Sequence, residues 1–268
     1  MKIHVPWRIR KAAEILFAPI RRESVTSSLQ CPVCDSDDAS FLPLPAYYED
    51  MKDRYGYIHS IYLSETMNRG RYSCMRCGAT DRERLYALYF REFVSRGGVL
   101  SDILDIAPAQ PLAAFLKRLG ATGYRSADMT MPGVDDSGVD IQNMSEYEDG
   151  QFRIFICSHV LEHVKDDMAA MRELHRVLAS GGWGICMVPI NLGLADVYEN
   201  PEIVDEAGRW KHFGQNDHVR LYSKAGFVSR LQAAGFRVEQ LGVSHFGEKA
   251  FARHALHPRS VLYVAHKH

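Results

Sequence analysis

From residue 99 onward, apolar runs of strand length alternate with segments of helical period, and that alternation leaves few folds open. The first strand is VLSDILDIA (99–107), followed by a helix over PLAAFLKRLG. TGYRSADM forms the second strand and GVDIQ (138–142) a short third. FRIFICSH (152–159) is almost uninterrupted apolar sequence, as expected of a central strand covered on both faces. DDMAAMRELHRVLASGG then reads as a helix with Met168, Met171, Leu174, Val177 and Leu178 on one side, closed by glycines. GGWGICMVPI follows as the fifth strand, SKAGFVSRLQAAG as a helix, and FRVEQLGVSHF and SVLYVAHKH as the last two strands. Only about 15 residues join these last two, without a clear helical pattern, so an antiparallel pair at the sheet edge is expected. The pattern predicts an α/β fold with a seven-stranded, mostly parallel sheet ending in an antiparallel hairpin.

Upstream stand two cysteine pairs, Cys31-Pro-Val-Cys34 and Cys74-Met-Arg-Cys77-Gly78. A CxxC turn brings two thiolates to one ion, and two such turns complete a tetrahedron. The competing readings are weaker. A disulfide needs an oxidising compartment, and a redox CxxC sits at a βα junction, which neither pair does. With all four positions taken by Cys31, Cys34, Cys74 and Cys77, the zinc would be structural. Residues 41–72 fill the gap as a small excursion, with YGYIHSIYL and RGRYS strand-like. Cys157 and Cys186 lie in apolar strands and read as core residues. TDRERLYALYFREFVSRGG is expected to be a helix capped at Thr80 or Asp81, with Leu85, Leu88, Tyr89 and Phe93 as its apolar stripe.

The formal net charge of -1 argues against a protein that grips nucleic acid mainly through phosphates. No apolar run is long enough to span a bilayer, and residues 1–30 lack the pattern of a secretory signal, which makes a cytoplasmic protein the expectation. Those residues instead read as a basic, mildly amphipathic helix and linker. Its apolar side, with Trp7 and Phe17 beside Arg8 and Arg21, either packs on the protein body or makes peripheral contact with an anionic membrane.

The stretch 152–190, FRIFICSHVLEHVKDDMAAMRELHRVLASGGWGICMVPI, resembles class I S-adenosylmethionine-dependent methyltransferases: their fourth strand, "(S/C)xVLEH" turn, helix, "LxxGG" turn and fifth strand. Weaker similarity covers 99–141 and the "AGF" at 234–236. HFGQNDHVRLYS also looks like the active-site insertion of zinc-knuckle methyltransferases. The resemblance implies a zinc-knuckle module over 31–80 and a methyltransferase domain over 81–268. The implied activity is methyl transfer from S-adenosylmethionine to an oxygen or nitrogen of a small-molecule or glycan-precursor acceptor. Two other readings stay open, an RNA methyltransferase and a catalytically silent binding or scaffold protein. The oligomeric state is not legible.

In an open α/β sheet, ligands bind outside the carboxyl ends of the strands. The expected cofactor residues therefore sit at successive strand ends: Asp105, Ile106, Ala107 and Pro108; Asp128 and Met129; Asp140 and Ile141; Ser158 and His159. Asp128 is placed to accept from ribose hydroxyls, and Asp140-Ile141 to meet adenine. One departure stands out. The family's first loop is usually glycine-rich, whereas here it reads Asp-Ile-Ala-Pro-Ala-Gln-Pro, and Pro108 has no N–H. For a base or acceptor contact the candidates are His218 first, then His159, His212 and Asp217, with 191–220 as lid or acceptor wall. His163 reads as a structural or capping residue. Arg69, Arg71, Arg82 and Arg84 read as a solvated face paired with Asp81 and Glu83, or as contacts to an anionic acceptor.

Overall fold

A computed structural model describes residues 28–268. The basic segment expected over 1–30, with its membrane contact, lies almost wholly outside them. Among the described residues, no helix is long and apolar enough to cross a membrane.

The chain opens with three short strands, β1 (Gln30–Cys31), β2 (Ser36–Asp37) and β3 (Phe41–Leu42), and helix α1 (Ala46–Arg54). A 3-10 turn at Ile61–Leu63 and β4 (Ser73–Cys74) follow, with β4 antiparallel to β3. The excursion is thus helix and turn rather than the expected strand over YGYIHSIYL. Helix α2 (Asp81–Ser95) then starts with the Glu83 carboxylate accepting from the Thr80 N–H at 2.5 Å.

The sheet is built from β5 (Ser101–Ile106), β6 (Thr122–Asp128), β7 (Asp136–Ser137), β8 (Phe152–Ser158), β9 (Leu178–Met187), β12 (Arg237–Leu241) and β13 (Leu262–His266). Their order is β12-β13-β9-β8-β5-β6-β7. β5 to β9 are parallel where they pair, while β13 runs antiparallel to both β9 and β12. Helices α3 (Gln110–Arg118) and α4 (Asp167–Val177) are the crossovers after β5 and β8. The expected fold class is the one observed.

Three details differ from expectation. The third strand is Asp136–Ser137, so Asp140 and Ile141 lie beyond its end, held there by Gly138 N–H donating to the Asp128 carbonyl. Helix α4 stops at Val177 and passes directly into β9, so Gly181 and Gly182 belong to the strand rather than a cap. Gly182 is required by space, since a Cβ there would stand 2.8 Å from the Ala179 and Arg153 carbonyls. Finally, two short helices, Val243–Phe246 and Glu248–Arg253, occupy the connection between β12 and β13.

The core runs unbroken from the cysteine module into the sheet, joining Cys31, Val33 and Cys74 to Leu85, Phe90 and Phe155. Arg84 is completely buried and donates to the carbonyls of Arg71, Tyr72, Ala79, His254 and Ala255. One guanidinium therefore ties the excursion to the C-terminal segment, which corrects its expected place on a solvated face. Tyr263 adds a second tie by donating to buried Glu65 at 2.6 Å.

Candidate active site

The carboxyl ends of β5, β6, β7 and β8 form one rim, and the expected cofactor residues lie along it. Asp105 is buried and accepts from the Tyr124 hydroxyl at 2.7 Å. Burial pushes its carboxyl up to about 7, with the Tyr124 bond opposing the rise. Asp128 accepts from the amides of Thr130 and Met131 at 2.6 Å through Oδ1, closing a tight turn. Asp140 is engaged by Gln142, and Ile141 is buried beside it. Met129 is half-exposed. The Ser158 hydroxyl pairs with Tyr86 at 2.8 Å.

The glycine-free loop keeps a glycine-like backbone. Ala107 has φ 53°, in the left-handed region that glycine adopts freely, and its N–H donates to the Ala127 carbonyl. Ala107 thus turns the chain sharply at the strand end. The residue leaving β8, His159, has φ 58°. These two turns lie at the ends of neighbouring, hydrogen-bonded strands.

Beside His159 lies a cavity of about 250 Å³. One wall comes from the excursion, with Tyr48, Lys52, Tyr57 and Tyr72; the other carries Arg82, Glu162, His163, Asn191 and His218. It is closed over by 191–223, which forms β10 (Tyr198–Glu199), helix α5 (Glu206–Phe213) and β11 (Arg220–Leu221). Helix α5 packs on α1 through buried Trp210, stacked parallel to Tyr55 at 6.2 Å between centroids. Burial pulls Lys52 down to about 8, with nearby Arg69 adding to the effect. Arg82 donates to the Tyr72 hydroxyl at 3.3 Å, on the cavity wall rather than a solvated face.

Glu162 is the innermost polar group, fully buried. Its position is set by Arg220, which donates to the carbonyls of Leu161, Val164 and Lys165 and so fixes the whole Leu-Glu-His turn. The Val219 N–H donates to the Glu162 carbonyl, which brings His218 over the same turn. His218 and His163 stand edge to face, 4.7 Å between centroids. Both Nε2 atoms face Glu162 Oε1, at 3.9 Å from His163 and 4.0 Å from His218. Burial drives His218 down to about 4, which leaves the imidazole neutral at pH 7. Burial would raise Glu162, but the three surrounding imidazoles hold its carboxyl low instead.

Among the expected acceptor-side residues, His159 and His218 line the cavity. His212 does not; its Nδ1 is 2.6 Å from the Tyr198 hydroxyl, away from the opening. Asp217 also stays outside, 3.3 Å from His163 Nδ1. His163 is a cavity residue rather than a cap. Glu162 and Lys52 were missed. Glu162 sits inside the Leu-Glu-His motif with no local spacing that marks it as a cavity group, and Lys52 lies in a segment with no distinguishing pattern.

The four cysteine sulfurs converge: Cys31 and Cys77 are 3.8 Å apart, Cys34 and Cys74 4.0 Å, and all lie within 4.8 Å of one another. A disulfide would need about 2.05 Å. Tetrahedral zinc thiolates at about 2.3 Å stand about 3.8 Å apart, which these sulfurs fit.

Residues 80–241, more than half of the chain, match the family model described as "Methyltransferase domain". No curated protein matches the chain. Among solved structures, the chain is similar to a SAM-dependent methyltransferase from Archaeoglobus fulgidus, at 12% identity over 69% of this chain and 94% of that one, TM-score 0.44. It is also similar to an S-adenosylmethionine-dependent methyltransferase from Mesorhizobium loti, at 13% over 66% and 97%, TM-score 0.41. A third likeness is to the 1,6-didemethyltoxoflavin-N1-methyltransferase of Burkholderia thailandensis, at 16% over 65% and 74%, TM-score 0.42.

Proposed function

The chain belongs to the methyltransferase domain family, and from that premise we propose that it transfers the methyl group of S-adenosylmethionine to an oxygen or nitrogen of a small-molecule or glycan-precursor acceptor. The observation that carries this reading is the cavity of about 250 Å³ beside His159, lined by the excursion of the cysteine module on one side and by the Leu-Glu-His turn and the segment after β9 on the other. A pocket of that size suits a small acceptor, or the end of a larger one, and excludes a nucleic-acid duplex. S-Adenosylmethionine would lie along the rim from Ala107 to His159, with Asp128 toward its ribose and Ile141 toward adenine. When bound, it supplies an electrophilic methyl group for in-line displacement.

The protein's own task is then alignment and exclusion of water. The tyrosines of the excursion and Asn191 close the acceptor side, while His159 stands where cavity and cofactor rim meet. His218, buried and held neutral, resists protonation and stands on the cavity wall as a contact to the acceptor rather than as its base. The cysteines would hold a structural zinc that fixes the excursion as the cavity's outer wall.

Calorimetry of the zinc-replete protein with S-adenosylmethionine tests the cofactor half of this reading. Release of S-adenosylhomocysteine across a panel of phenols, amines and nucleotide sugars, with RNA as the contrasting acceptor, tests the other half. Absence of binding heat and of any thermal shift would refute the enzyme reading, and turnover on RNA alone would refute the small acceptor.

A further inference from the structure

The Leu-Glu-His turn poses an electrostatic problem that the methyl-transfer reading does not solve. Glu162 has no exposed surface, and among the described residues neither of its carboxylate oxygens has a hydrogen-bond partner. His159 Nδ1 approaches Oε1 to 3.1 Å but without hydrogen-bond alignment. His218 Nδ1 is also buried, with no partner among the described residues. A buried carboxylate left without donors costs several kcal/mol, on the order of a whole domain's margin of stability. Charge and lone pairs are concentrated here with nothing to receive them.

The surroundings are those of a ligand set. One oxygen of Glu162 and one ring nitrogen each of His163 and His218 lie within 4.8 Å of one another. Asp217 Oδ2 lies 3.3 Å from His163 Nδ1, a charge contact without hydrogen-bond alignment that favours a proton on that nitrogen and a lone pair on Nε2, the atom 3.9 Å from Glu162. A carboxylate that fixes the tautomer of a histidine from behind is the usual support of a metal-bound imidazole. Arg220 locks the turn and thereby the spacing. All three ligand residues also line the cavity, so an ion here would have open positions facing it.

We propose that Glu162, His163 and His218 form a second metal site, separate from the cysteine cluster, for a divalent first-row transition cation. Two imidazoles and one carboxylate suit zinc, iron(II) or a similar ion rather than magnesium or calcium, which prefer all-oxygen shells. Three protein ligands leave room for an exogenous one, unlike the closed four-cysteine set. Its relation to the acceptor rests on the methyltransferase reading: the ion would draw in an acceptor carrying an oxygen able to enter its coordination sphere, and lower that oxygen's proton affinity. Binding of the ion does not depend on that reading.

The test counts metal. Full-length protein is stripped with chelator, dialysed against zinc, and analysed for zinc per chain. The wild-type protein should hold one zinc more than either Glu162→Gln or His218→Asn, and Asp217→Asn should weaken that extra site by about 10-fold to 100-fold. Using two ligand variants keeps the test decisive where one of them fails to fold. Equal zinc content in the wild type and a folded variant would overturn the proposal, and would mark the cluster as an ion pair between Glu162 and a protonated histidine. Because the count involves no S-adenosylmethionine, a failure here is distinct from a failure of methyl transfer.

Discussion

Ala107 and His159 leave two hydrogen-bonded neighbouring strands with the same left-handed turn, φ 53° and 58°. Both turns lie at the carboxyl ends of their strands, on the same edge of the sheet. Neither is glycine, so each turn carries about 1–2 kcal/mol of backbone strain.

That strain makes Ala107→Gly a stabilising change. The variant should gain about 1 kcal/mol in urea unfolding and keep its affinity for S-adenosylmethionine. Ala107→Val should lose stability, because a β-branched residue tolerates positive φ worst. A destabilised glycine variant would show that the alanine methyl makes contacts worth more than the strain.

Asp105 gives the protein a pH signature. Its carboxyl titrates near 7 when folded, against about 3.9 in an unfolded chain. Between those values the folded state holds a proton that the unfolded state has released, so this group's contribution to stability falls as pH rises from about 4 through 7. Below pH 4 and above about 7 its effect is flat. Unfolding measured over that range should slope downward more in the wild type than in Asp105→Asn, and parallel slopes would place the titration elsewhere.

Asp128→Ala should weaken S-adenosylmethionine binding by about 10-fold to 100-fold, the worth of hydrogen bonds to a carboxylate. The side chain also caps the Thr130 and Met131 amides, so a small loss of stability should accompany it. Calorimetry separates the two effects, and an unchanged Kd would remove Asp128 from the cofactor rim.

Cys31→Ser should abolish zinc binding by the cysteine cluster that we propose holds a structural zinc, since the other three thiolates cannot close the tetrahedron. Cys31 is wholly buried in a core continuous with Leu85 and Phe155, so the loss should lower one global melting transition rather than melt a separate module. A small independent transition with the main one unmoved would contradict that continuity.

Much of the scaffold was legible in the sequence because its signals are local. Apolar run length marked β8, and strand and helix period marked the sheet and its closing hairpin. CxxC spacing marked the cysteine cluster. The carboxyl ends of parallel strands must share one rim, so residues from Asp105 to His159 could be placed together from order alone. The weak third strand was misplaced because a two-residue bridge has no period to read. Helix α1 was missed because it buries none of its residues and so carries no apolar stripe to read.

Glu162 and His218 show where that legibility stops. They are 56 residues apart, and nothing periodic links them; Arg220 and the Val219 backbone bond bring them together. The sequence by itself determined the sheet, the rim at its strand ends and the four-cysteine cluster, since each follows from short-range geometry. Only the tertiary structure decided that Ala107 turns as a glycine does, that the excursion walls the cavity, and that a carboxylate is buried among histidines. Those features arise from packing between segments distant in the chain, where burial and charge, rather than local spacing, set the outcome.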